Sequence, residues 1–68
     1  MTSDDKVIDV TIIKDHDWIQ ARIMVNRIRY MFKSKMGLED VTTIVLDDKT
    51  QLVVTDNIDI VTYKIKAT

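Results

Sequence analysis

The stretch from Asp15 to Met36 constrains this chain most, because its apolar residues recur at the spacing of an amphipathic helix. At 3.6 residues per turn, Trp18, Ala21, Met24, Val25, Ile28, Met31, Phe32 and Met36 gather on one broad face, the expected core contact. Ile19, Ile23 and Tyr30 form a narrower stripe roughly opposite. Between the stripes runs a polar line of Arg22, Asn26, Arg29 and Lys33. One apolar face suffices to dock a helix on a sheet. The second stripe therefore predicts an interface.

The ends of this segment agree with a helix. Asp17 followed by Gln20 matches a capping box. Gly37, the only glycine, stands where a left-handed residue ends a helix. Asp15 and Asp17 meet the positive end of the helix dipole, and Lys33 and Lys35 the negative end.

Outside this segment the signals are those of strands. Lys6 to Ile13 alternates, with Ile8, Val10 and Ile12 on one face. Val41 to Leu46 and Gln51 to Thr55 are strands joined by Asp47-Asp48-Lys49-Thr50, a turn with Lys49 where a hairpin often has glycine. Asp56-Asn57 turns again, and Ile58 or Ile60 to Lys66 is read as the last strand. Residues 1–5 are polar and expected to be loose. The order predicts one α+β domain, β-α-β-β-β, with one long helix packed on a small antiparallel or mixed sheet. The strand faces are not cleanly sorted: Ile44 and Leu46 oppose Val41 and Val45, Leu52 and Val54 oppose Val53, and Val61, Tyr63 and Ile65 oppose Ile58 and Ile60, so the sheet face away from the helix is expected to be partly apolar too.

Sixty-eight residues bury only about 60% of their unfolded surface. Chains of this size usually rely on disulfides, a metal or association. With no Cys and one His, association is the expected support. The net charge of −1 predicts no general attraction to nucleic acid or membrane. The charge is uneven, however. Asp15 and Asp17 against Arg22, Arg27, Arg29, Lys33 and Lys35 leave +3 in residues 15–36, while residues 37–68 carry −3. The N-terminus is acidic and unlike a signal peptide, and no run approaches a membrane span, so a cytoplasmic location is expected. Abundant Ile with no Pro fits an AT-rich genome, such as that of a phage or plasmid.

No residue set reads as catalytic, cofactor-binding or metal-ligating. Asp15-His16-Asp17 resembles a base cluster, but neighbours at a helix start diverge, and capping is the better reading. Asp47-Asp48 and Asp56…Asp59 lack calcium-loop spacing and supply turn geometry instead. The two serines lie in no nucleophile motif, and no Gly-rich loop is present. The expectation is a non-catalytic regulator or adaptor that binds protein, as a homodimer, through Ile19, Ile23 and Tyr30. Arg22, Asn26, Arg29 and Lys33 would meet an acidic partner or, in the alternative reading, nucleic acid.

Overall fold

A computed structural model of the chain describes residues 6–68. The expectation for residues 1–5 lies outside the described residues. The class is α+β, but the order differs from that expected. Five strands come first: β1 (Val7–Lys14), β2 (Asp17–Met24), β3 (Ile28–Met36), β4 (Glu39–Leu46) and β5 (Gln51–Val54). Helix α1 (Ile58–Ala67) follows. The sheet is antiparallel throughout, in the order β2-β1-β5-β4-β3.

The expected long helix is two strands joined by a single 3-10 turn at Val25–Arg27. Period-2 alternation runs through β2, with Ile19, Ala21 and Ile23 on one face and Trp18, Gln20, Arg22 and Met24 on the other. The turn and a bulge at Arg29 then shift the phase, leaving Ile28 and Met31 inward and Tyr30 and Phe32 outward. Where alternation is interrupted, apolar residues fall three apart and imitate a helix.

The supposed caps are hairpin turns. Asp17 pairs with Lys14, and the two residues between them, Asp15 and His16, both take positive φ (52° and 67°), as a type I′ turn requires. Gly37 (φ 65°) and Leu38 form the two-residue turn between Met36 and Glu39. In the third turn Lys49 takes φ 74°, the position that favours glycine.

The C-terminal segment read as a strand is helix α1. Asn57 caps it by accepting from the Ile60 amide at 2.9 Å, with Asp59 in the first turn and Lys64 and Lys66 in the last. The β-branched residues of this stretch favour a strand locally. Burial of Val61 and packing of Ile65 against the core overrides that preference.

The core lies between the inner sheet face and α1. It comprises Ile8, Val10, Ile23, Ile44, Val54 and Val61, ringed by Ile12, Val25, Ile28, Met31, Leu46, Leu52 and Ile65. Thr42 is fully buried, and its hydroxyl donates to the Asp56 carbonyl at 2.8 Å.

The register forces the sheet to coil. Ile19, Ile12, Val54, Thr42 and Lys33 lie on one line across all five strands. Met24 is five residues beyond that line and Ile28 five residues before it, on strands running the same way. On a flat sheet those ends would stand about 30 Å apart along the strands alone. The linking residues span at most about 14 Å. Opposite corners of the sheet must therefore meet, and the link is bonded at both. The Val25 amide donates to Lys6 carbonyl oxygen and the Asp47 amide to Arg27 carbonyl oxygen, each at 2.8 Å. No helix among the described residues is long and apolar enough to cross a membrane.

Candidate functional site

The topology leaves β2 and β3 as the two edges of the sheet. Among the described residues, β2 pairs only with β1 and β3 only with β4. An edge strand turns alternate N–H and C=O groups outward without sheet partners. Among the described residues, six of the ten exposed large hydrophobics lie on these two strands: Trp18, Ile19 and Met24 on β2, and Tyr30, Phe32 and Met36 on β3. Apolar surface is thus concentrated where backbone hydrogen bonding is also unfinished.

On the outer face of β3, Tyr30 stands opposite Val45 and Phe32 opposite Thr43. The two rings stack with centroids 6.1 Å apart at 29°. They help bury Val45 and Thr43, and Thr43 also shares a 2.8 Å hydroxyl hydrogen bond with Ser34. The rings are only partly used in this way, since Tyr30 remains 53% and Phe32 43% exposed. Trp18, opposite Ile13 near the start of β2, is 71% exposed.

The edges differ in charge. β3 carries Arg29, Lys33 and Lys35 and no acid, whereas β2 carries Asp17 and Arg22. Arg22 pairs with Asp9 across the hairpin at 3.0 Å, and Lys35 with Asp40 at 3.1 Å. Arg29 and Lys33 have no ion-pair partner among the described residues. Lys33 lies on the inner side of β3, opposite Thr42, and Arg29 is the bulged residue.

The expected stripe of Ile19, Ile23 and Tyr30 does not form. Ile23 is 4% exposed and belongs to the core; Ile19 is half-exposed on β2, and Tyr30 lies on the other edge strand. A charge at Ile23 therefore attacks the fold before any interface. The line of Arg22, Asn26, Arg29 and Lys33 is also dispersed, over β2, the 3-10 turn and β3. Phe32, Met24, Met36 and Trp18, expected in the core, are exposed. Alternation within residues 18–24 was the signal that separates Trp18 from Ile19. The phase shift at Arg29 could be located only with the partner strand in view.

A cleft of about 470 Å³ is lined by Asp9, Thr11, Gln20, Arg22, Asp56 and Lys64. Lys64 Nζ donates to Asp56 Oδ2 at 2.8 Å and to the Asp9 carbonyl at 2.9 Å. Together with the Arg22–Asp9 pair this offsets both acids, leaving no net charge to hold a small ion. In the β4–β5 turn, Asp47 and Asp48 face Arg27 at 3.2 and 3.6 Å. Hydrogen bonds from the side chain and amide of Thr50, aided by Arg27, hold the Asp48 carboxyl below the usual aspartate range. These aspartates thus serve turn geometry.

Comparison with family models, curated proteins and solved structures finds no match to this chain.

Proposed function

We propose that this chain is a small non-catalytic regulatory or adaptor protein that binds other proteins through the edges of its sheet and pairs with a second copy of itself. The observation that supports this reading is the coincidence of exposed apolar side chains with the two edge strands. Edge addition joins two sources of affinity, main-chain hydrogen bonds and alternate side-chain contacts.

The neutral edge, β2, suits the second copy. Antiparallel pairing centred on Ala21 sets Trp18 against Met24 of the partner subunit and Ile19 against Ile23 of the partner subunit. Asp17 and Arg22 then meet no like charge. Three cations on β3 oppose the same self-pairing there.

Sedimentation velocity across micromolar concentrations tests the pairing. The expected result is a concentration-dependent dimer that Ile19→Lys converts to monomer with an unchanged circular dichroism spectrum. A chain that stays at 7.9 kDa throughout sinks the homodimer. The alternative, a nucleic-acid-binding regulator, draws on the cations and stacked aromatics sharing β3, a combination that suits single strands. Binding that falls steeply with salt distinguishes it from an apolar interface.

A further inference from the structure

We infer that the β3 edge accepts an extended acidic segment of another protein, one that alternates carboxylates with apolar residues. This rests on the protein-binding reading above and names the partner chemistry of one of its two edges.

Each feature of the segment follows from β3. An added strand places alternate side chains on the two faces of the sheet. On the outer face it runs beside the stacked rings of Tyr30 and Phe32, which call for apolar or aromatic residues. On the inner face it runs beside Lys33 and Lys35, which call for carboxylates at the intervening positions. Lys33 and the bulged Arg29 carry the selection, because they have no ion-pair partner among the described residues. Lys35 is shared with Asp40. At nine residues, β3 is the longest strand of the sheet, and its register runs unbroken from Tyr30 to Met36.

Edge lysines also serve to keep copies of a protein from pairing. That role and this one differ in what they predict for an acidic strand. A purely protective edge repels its own copy and binds nothing. A selective edge repels its own copy and takes the opposite charge, as electrostatic complementarity at an interface does.

The test uses the full chain and a fluorescein-labelled nine-residue peptide that alternates Glu with Val and one Tyr, followed by anisotropy at about 0.15 M ionic strength. Saturable binding is expected, with a peptide of the same composition but grouped glutamates at least ~10-fold weaker, or about 1.4 kcal/mol. Arg29→Glu with Lys33→Glu should lose at least ~10-fold for the acidic peptide and gain affinity for its Lys counterpart. A peptide N-methylated at the alternate amides that would face β3 should fail with the unaltered protein, so the result does not depend on the variant folding. No binding of the alternating peptide, equal binding of the grouped one, or an unaffected double variant overturns the inference. Preferential, steeply salt-dependent binding of oligo(dT) overturns it in favour of nucleic acid. Self-association through β2, measured in parallel by sedimentation, separates the outcomes. Loss of peptide binding with the dimer intact refutes only the β3 assignment, whereas loss of both refutes the edge-binding reading.

Discussion

The ammonium of Lys64, near the end of the chain, donates to the carbonyl oxygen of Asp9 in the first strand at 2.9 Å. β1 and β5 share a single residue pair, Ile12 with Val54, supplemented by the Thr55 amide donating to Thr11 carbonyl at 2.9 Å. Beyond that point the chain leaves the sheet to form α1. Lys64 then supplies a donor where the strand's neighbour has departed, tying helix to sheet across 55 residues.

Lys64→Met should keep the aliphatic contact and lose the donor. The site is about one-third exposed, so solvent screens the pair and the expected cost is about 1 kcal/mol. Urea unfolding checks this. An unchanged midpoint with an unchanged slope would show that water replaces the ammonium at no cost.

Lys49→Gly should stabilise the protein. A side chain at φ 74° costs about 1–2 kcal/mol, and glycine's added freedom in the unfolded chain returns part of it. A net gain of about 0.5–1 kcal/mol is expected. A lower melting temperature for the variant would mean that Lys49 makes a compensating contact.

Truncation should separate the two faces of β4 and its neighbour. Ile44→Ala removes a fully buried core side chain and should cost about 2–5 kcal/mol. That is a large share of the ~5–15 kcal/mol stability of a small domain. Phe32→Ala, on the half-exposed outer face, should cost well under the ~3–5 kcal/mol of a buried phenylalanine. Equal losses in denaturant titrations would place Phe32 in the core after all.

Acid should loosen the β4–β5 turn through Asp48. Its folded pKa is depressed, so its contribution is complete above the unfolded value of about 3.9 and disappears as pH falls through the folded value. NMR titration of Asp48 reads the folded value directly. Asp48→Asn should remove that part of the acid dependence. A variant whose pH profile between about 5 and 2 matches the parent would assign the acid sensitivity to other carboxylates.

Strand β1 was legible because one period explained it: Ile8, Val10 and Ile12 alternate without interruption, and all three face the core. The β4 and β5 segments were legible for a similar reason, bounded by the Asp47-Asp48-Lys49 turn. Asp15 to Met36 was not. Two strands out of phase, separated by a 3-10 turn and a bulge, yield the three- and four-residue spacings of a helix. Asp17 and Gly37 fit caps as well as hairpin turns, because both structures call for short polar residues and positive φ.

The excess of apolar side chains over what one small chain buries, and the cationic bias of residues 15–36, were determined by the sequence itself, since composition does not depend on folding. Where those side chains fall was decided only by tertiary structure. The pairing of β5 with β1 makes β2 and β3 the edges, and the short link between them coils the sheet until its corners meet. In that sheet Ile23 joins the core, Ile19 is left half-exposed, and Tyr30 lies on the other edge strand. Such long-range pairing depends on which backbone groups and core side chains find one another, which no local period encodes.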